Sequence, residues 1–407
     1  MKILHLSTTD VKGGAGIAAH RLHQGLLDGG VESSMYVQRK YGDDNLVFCS
    51  QNKIRKFFDY FCAASDKIIA NIFGPKNYEI TSPALFSSLD LEAIDRINPD
   101  IVHLHWICGG FLSPEKISKI KKPIVWTMHD AWPFSGVNHY NNKDKKYITG
   151  DFKDGNFLDK WTWERKKKAW SGLRSFVAVS PSKWLASEAK SSLLFKDFRV
   201  ENIPNGIDTN IFKKYDKSIA REKFHLPVDK KILLFGAVNP LSGERKGYKL
   251  LADIIHNIAE SDFKNIALVV FGASSNNGIN FNLPTYFIGK ISSEEELAMV
   301  YSAADIFIAP SIEDNLPNTV VESMSCGTPV AAFNIGGMPD MIENRKNGIL
   351  VPPFDAALLA SEILSVLEDG IVFENLSLES RKKVLENFDI KIIVDRYKQL
   401  YKSILSL

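Results

Sequence analysis

The sequence is poor in the features that mark metal-stapled, secreted or membrane-spanning chains. Only four cysteines, Cys49, Cys62, Cys108 and Cys326, occur in 407 residues. None stands in a Cys-x-x-Cys pair, so neither structural zinc nor a disulfide framework is expected. No apolar run approaches the roughly 20 residues that a membrane span needs. The opening MKILHLSTTD turns polar too soon for a signal peptide, and a cytoplasmic location is expected. The formal net charge of +2 is too small to draw the chain to nucleic acid. There is no Asp-x-Asp pair to carry a divalent metal. There is no complete Gly-x-Gly-x-x-Gly fingerprint either, which argues against a Rossmann dehydrogenase. Internal repeats and low-complexity tracts are also missing.

What is present is an alternation of short apolar runs with helical patterns. At 407 residues one core is not enough, and two domains are expected. Strands read at Lys2–Ser7, Val31–Gln38, Asp100–Trp106, Ile124–Asp130, Ser175–Pro181 and from Arg199. A second series reads at Lys231–Val238, Ile266–Ala273, Tyr286–Gly289, Ile306–Pro310, Val330–Phe333 and Gly348–Val351. This pattern predicts α/β domains built on parallel sheets.

The stretch Asp305–Glu343 carries the most chemistry. The run Ile306–Pro310 reads as a buried strand. A polar loop with Glu313, Asp314 and Asn315 follows. A helix then starts at Pro317 or Asn318, where proline suits the first turn and asparagine can cap. It stops at Gly327. After the strand Val330–Phe333, a turn at Gly336, Gly337 and Pro339 opens another helix. Asp314 therefore lies at a strand's carboxyl end, and Glu322 lies in the following helix. In an open parallel sheet that edge binds ligands, and a helix start favours an anion such as a diphosphate. Taken singly, each acid has a plainer role: Asp314 capping a turn, Glu322 complementing the helix dipole.

Taken together, Asp314, Glu322, Cys326-Gly327-Thr328-Pro329-Val330 and Gly336-Gly337-Met338-Pro339-Asp340 resemble the signature of the retaining glycosyltransferases of family 4. Asp314 stands where glutamate is usual. The segment DNLPN is similar to the members used in bacterial capsule, exopolysaccharide and lipopolysaccharide assembly. The resemblance implies the GT-B architecture, two Rossmann-like α/β/α domains facing across a cleft. Residues 1–209 would form the acceptor-binding domain, completed by a crossover helix at 389–407, and 210–388 the nucleotide-sugar domain. It further implies retaining transfer of a sugar from a UDP- or GDP-sugar to a glycan or lipid-linked saccharide. No cofactor beyond that substrate, and no metal, is expected. An epimerase, a phosphorylase or a non-catalytic sugar-nucleotide-binding protein of the same fold remain open alternatives.

The same resemblance assigns roles. Glu322 would accept hydrogen bonds from the ribose hydroxyls, and Asp314 would lie near the donor sugar. Asn315, Leu316, Pro317, Asn318 and Thr319 would line the donor. Arg245 and Lys246 match a segment whose cations hold the leaving diphosphate. Many members place a further arginine where this chain has Ala237, so Arg245 would take its share. Gly13 and Gly14, in the turn after the first strand, would face the diphosphate. The Thr-x-His-Asp ending at His129 and Asp130 resembles the acceptor-side motif. His129 ranks first among the histidines, then His105, then His103.

Other stretches leave alternatives. Ile54–Phe73 is helical by pattern, with Ile54, Phe57, Phe58, Phe61, Ile68 and Ile72 on one stripe beside Arg55, Lys56 and Lys67. Packing on the sheet is the first expectation. A membrane-surface or lipid-acceptor helix, and with it a peripheral membrane contact, is the second. From Ala131 to Trp161 the periodicity fails, and so long a loop at a ligand-binding edge is expected to be functional. The run Lys166–Lys168 within ERKKKAW is expected to be a solvated charged face, with phosphate or membrane contact as the alternative. Asn205 and Gly206 mark the domain boundary.

Overall fold

Apolar runs become strands, and the stretches between them helices, in a computed structural model of the chain. It describes all residues except 77–78, 141–144, 153–155, 237–243, 274–280 and 407. The chain divides into two units, Met1–Gly206 with Ile393–Leu407, and Ile207–Ile392. The division follows local pairing. Ile207 exchanges backbone hydrogen bonds with Phe388 and Ile390, both at 2.9 Å, which keeps these segments in the second unit.

Unit 1 contains β1 (Lys2–Thr9), α1 (Gly13–Asp28), β2 (Glu32–Arg39), β3 (Val47–Phe48), α2 (Lys53–Phe73), α3 (Leu91–Ile97), β4 (Ile101–Leu104), α4 (Pro114–Ile117), β5 (Ile124–Thr127), α5 (Lys146–Thr149), α6 (Phe157–Trp170), β6 (Phe176–Ser180), α7 (Lys183–Ser191) and β7 (Arg199–Asn202). Its strands lie in the order β3-β2-β1-β4-β5-β6-β7, all parallel. The order reverses between β1 and β4, the topological switch point of such a sheet. Alternation sends Leu4, Leu6, Val102, Leu104 and Trp126 to one face, where Trp132, Trp163 and Trp170 complete the core. His5 and His103, paired in register, point to the other face. β4 and β5 stop at Leu104 and Thr127, so His105, His129 and Asp130 lie beyond the strands.

Two expectations in this unit are corrected. The stretch 131–161 is not wholly an irregular loop: among its described residues Trp132, Phe134, Val137 and His139 are buried, and α5 and the start of α6 fall within it. Buried irregular backbone must have its polar groups satisfied. Lys166, fully buried, does so by donating from Nζ to the carbonyls of Trp132, Ser135 and Gly136 at 2.5, 3.2 and 2.6 Å. Asp159 accepts the Val137 N–H at 2.8 Å. Of the run Lys166–Lys168, therefore, only Lys167 and Lys168 are solvated. The second correction is α2. Its apolar stripe does not pack on the sheet; the buried residues are Cys62, Asp66 and Ala70, and the stripe faces outward.

Unit 2 contains α8 (Lys217–Lys223), β8 (Lys231–Gly236), a 3₁₀ turn at Glu244–Lys246, α9 (Tyr248–Glu260), β9 (Ile266–Phe271), β10 (Thr285–Gly289), α10 (Glu294–Ala303), β11 (Ile306–Ala309), α11 (Asn318–Ser325), β12 (Val330–Phe333), α12 (Met338–Met341), β13 (Gly348–Val351), α13 (Ala356–Glu368) and α14 (Gly370–Asn387). The strands lie in the order β10-β9-β8-β11-β12-β13, again all parallel, with the switch between β8 and β11. Both faces are covered. Ile232, Leu234, Phe307 and Ala309 join one core, and their neighbours Leu233, Phe235, Ile306 and Ile308 join another. α9 shows the helical counterpart, burying Leu251, Ile254, Ile255 and Ile258 on one stripe. A last helix, α15 (Ile390–Leu405), belongs to unit 1 from Ile393 onward.

Candidate functional site

In unit 2 the switch point gathers the charged residues. The 3₁₀ turn after β8 packs on the end of β11, where Ile312 N–H donates to the Arg245 carbonyl at 2.8 Å. Gly247 makes this approach feasible: its φ is +71°, and a Cβ there would lie 1.7 Å from the Pro310 carbonyl oxygen. Arg245 and Lys246 are thereby brought to Asp314. Lys246 Nζ lies 2.6 Å and Arg245 Nη1 3.3 Å from Asp314 Oδ2. Ser311 Oγ donates to the same oxygen at 3.4 Å, and Asn315 N–H to Oδ1 at 3.1 Å. Gly336 clasps the loop from the far side: its φ is +50°, and a Cβ would meet the Asp314 carbonyl oxygen at 2.1 Å. Burial would raise the Asp314 carboxyl, but the Lys246 and Arg245 charges outweigh it and hold the group below its ordinary range.

The helix that follows differs in detail from the sequence reading. Pro317, not asparagine, sits at the N-cap of α11, and no side chain caps it. Asn318 and Thr319 are half-buried at the helix start. Leu316 is buried in the core of unit 2 and supports the loop. Glu322 is buried, and the Tyr301 hydroxyl donates to its Oε2 at 2.9 Å. Tyr301, on α10, was missed by sequence reasoning, because no local pattern links two helices across a strand. Ala237 lies outside the described residues.

In unit 1 the switch point holds the glycine turn and the histidines. Gly13 and Gly14 are exposed at the start of α1, where Lys12 occupies the N-cap without a side-chain cap. The starts of α1, α9 and α11 thus all lack a capping side chain, whereas Asp90, Asn156, Ser182, Asp216, Ser293 and Asp355 cap helices elsewhere. Uncapped starts at a sheet's carboxyl edge suit an anion.

The histidines form a buried array. His5 Nδ1 and His105 Nε2 are 3.0 Å apart, and His105 Nδ1 and His129 Nε2 are 3.2 Å apart. His103 shares hydrogen bonds with Tyr401 of α15 at 2.7 Å and with Thr127 at 2.8 Å. One nitrogen from each of His5, His103 and His105 lies within 4.8 Å of the others. Both His103 nitrogens are committed to hydroxyls, however, and a metal would have to break those bonds. The array therefore reads as hydrogen-bonded scaffolding. Burial lowers the His129 pKa to about 4 against the opposing charge of Asp130, leaving a neutral imidazole at pH 7. His105 lies behind His129, itself buried, and supports that residue from within. Asp130 is likewise committed: Oδ2 accepts from Trp106 Nε1 at 2.9 Å and pairs with His139 Nδ1 at 2.6 Å, and Oδ1 accepts the Trp132 N–H at 3.0 Å. His105, Trp106, His129, Asp130 and Trp132 line a small pocket.

Comparison with known proteins places this geometry. Residues 12–211 match the model of Glycosyltransferase Family 4, and residues 229–369 that of Glycosyl transferases group 1. Each of these stretches thus carries the signature of a glycosyltransferase domain, and the fold is of the GT-B type. Sucrose-phosphate synthase from Thermosynechococcus elongatus superposes on this GT-B chain with a TM-score of 0.69 at 20% identity, covering 100% of both. The Anabaena protein HepE, solved with UDP-glucose, gives 0.65 at 15% identity, covering 99% of this chain and 100% of that one. Among curated relatives, the D-inositol 3-phosphate glycosyltransferase of Thermobispora bispora is 30% identical over 183 residues, 42% of this chain and 43% of the relative. The match thus spans less than half the length of that relative, whose name is not that of a capsule, exopolysaccharide or lipopolysaccharide enzyme.

Proposed function

We propose that unit 2 binds the diphosphate of a nucleotide-sugar and that the protein transfers the sugar to a hydroxyl acceptor with retention of anomeric configuration. The observation that carries this reading is the convergence of Lys246, Arg245 and the Asp314 loop at the switch point of the second sheet. As the sugar–phosphate bond breaks, negative charge grows on the diphosphate. Cations held ready at that place bind it more tightly in the transition state than in the ground state, which raises kcat. The start of α11 adds backbone dipole from the same edge. Asp314, held ionised, keeps the two cations in place and lies near the sugar. Glu322, oriented by Tyr301, takes the ribose hydroxyls. In unit 1, Gly13 and Gly14 offer backbone donors to an anion. His129, neutral at pH 7, orients a sugar or acceptor hydroxyl without being the base.

UDP-sugars are the first donors to test, since a protein of the same fold has been solved with UDP-glucose, and GDP-sugars are the second. The acceptor is a glycan or lipid-linked saccharide of cell-surface polysaccharide synthesis, met by a cytoplasmic enzyme. An inositol phosphate joins the acceptors to test, given the name of the Thermobispora relative. The deciding experiment is a thermal-stabilisation screen of nucleotide-sugars on the wild-type protein and on Lys246→Ala, followed by NMR of the first-formed product. A donor that raises Tm in the wild type and much less in the variant is expected, with the donor's anomeric configuration kept. No stabilisation by any UDP- or GDP-sugar, or an inverted product, would overturn the reading.

A further inference from the structure

We propose that the outward face of α2 docks on an anionic lipid bilayer. This helix is amphipathic in the opposite sense to one packed on a sheet. Its buried residues, Cys62, Asp66 and Ala70, recur every four positions and are small or polar. They hold the helix firmly. Asp66 accepts the Ala84 N–H at 2.7 Å. Gly110 lies so close to the Cys62 backbone that a Cβ would stand 2.6 Å from its carbonyl oxygen. Arg55 pairs with Asp90 at 2.7 Å. The large apolar side chains lie on the other side: Ile54, Phe57, Phe61, Ile68 and Ile72 are 79, 73, 48, 56 and 62% exposed.

Apolar side chains scattered singly over a surface need no explanation, but a contiguous stripe does. The 21 residues of α2 extend this one over about 30 Å. Charge names the occupant. At about 100° per residue, Lys53, Lys56 and Lys67 fall in one sector beside the stripe, and all three are exposed. The acids of the helix lie on the protein side, Asp66 buried and Asp59 half-buried. An apolar face whose exposed charged flank on the helix is cationic fits the interface of a bilayer carrying anionic headgroups. An antiparallel pairing with a second copy of this chain would instead set the lysine flanks side by side. No helix among the described residues is long and apolar enough to cross a membrane, so α2 would lie flat in the interface.

Flotation of the full chain with vesicles tests this directly, and because it needs no sugar donor its failure is distinct from failure of the transferase reading. The protein is expected to float with phosphatidylcholine vesicles containing about a third phosphatidylglycerol at low salt, and to be released as salt is raised. It should not float with pure phosphatidylcholine. Phe57→Ser with Ile68→Ser, its fold verified by circular dichroism, is expected to lower partitioning about tenfold or more. Lys56→Gln with Lys67→Gln should weaken binding to the anionic vesicles and flatten its salt dependence. Wild-type protein left in solution with anionic vesicles at low salt would overturn the proposal. So would undiminished binding by either variant, or a dimer in light scattering that the Phe57→Ser/Ile68→Ser change dissolves while vesicles go unbound.

Discussion

Lys246 Nζ stands 2.6 Å from Asp314 Oδ2, although 67 residues separate the two in the chain between positions 246 and 314. The contact is built by the sheet, because β8 and β11 are neighbours and the segments leaving their carboxyl ends must meet. It also sets the charge state of Asp314. Burial alone would raise the carboxyl; Lys246 and then Arg245 bring it below its ordinary 3.8. The unfolded chain therefore takes up this proton first as pH falls. The pair's contribution to stability is complete above about pH 4 and is lost as pH drops through the lowered value.

Replacing Lys246 with Ala is expected to lower kcat by about 10²–10³, the scale for removing one preorganised donor. Arg245→Ala should act in the same direction. Steady-state kinetics with the identified donor would check this. A normal kcat with only a raised KM would mark uniform binding and end the leaving-group role.

Glu322→Ala should weaken nucleotide binding by about 1.5–3 kcal/mol, the worth of hydrogen bonds to a charged group. Because the change also removes a partner of the Tyr301 hydroxyl, Tyr301→Phe serves as the control. It should cost about 0.5–1.5 kcal/mol of stability and leave most of the affinity. Calorimetry on folded variants decides, and unchanged affinity in Glu322→Ala would remove this residue from the donor site.

Turnover is expected to persist in EDTA. The chain lacks an Asp-x-Asp pair, and in the proposed reading Lys246 and Arg245 supply the positive charge toward the diphosphate. Loss of activity in EDTA that magnesium restores would contradict this.

The histidine array predicts acid sensitivity. Burial lowers His103 to about 3, and His129 and His23 to about 4, from an ordinary 6.5, and it also holds His5 and His105 well below that value. Below pH 6.5 the unfolded state binds protons that the folded state refuses, so stability falls with falling pH. Each group contributes up to about 1.4 kcal/mol per pH unit until its folded value is reached. Urea unfolding at several pH values should show this slope, and His103→Gln should make it shallower. An equal slope in the variant would show that His103 is not part of the effect.

Much of the fold was legible because local rules suffice for it. Apolar runs such as Val330–Phe333 and Gly348–Val351 coincide with β12 and β13, since a strand covered on both faces must be apolar throughout. The acids at Asp314 and Glu322 were legible as positions at a sheet edge. Their partners were not: Tyr301 and Ser311 carry no motif, and only packing shows the hydroxyls they turn toward the carboxylates.

By itself the sequence determined the alternation of strand and helix, the expectation of two α/β units and the acids at the second sheet's edge, through periodicity, turn chemistry and length; the GT-B architecture and the roles of Arg245 and Lys246 came from the resemblance to family 4. Only the tertiary structure decided which side of α2 meets protein. A helical wheel locates apolar side chains but not what covers them, and here Asp66 and Cys62 made the contact while Phe57 and Ile68 stayed outside. It likewise decided that Lys166 is a buried staple and that His5, His103, His105 and His129 form one array. Parallel pairing joins strands that are distant in the chain, and the register that aligns His5 with His103 comes from the packing of the whole sheet.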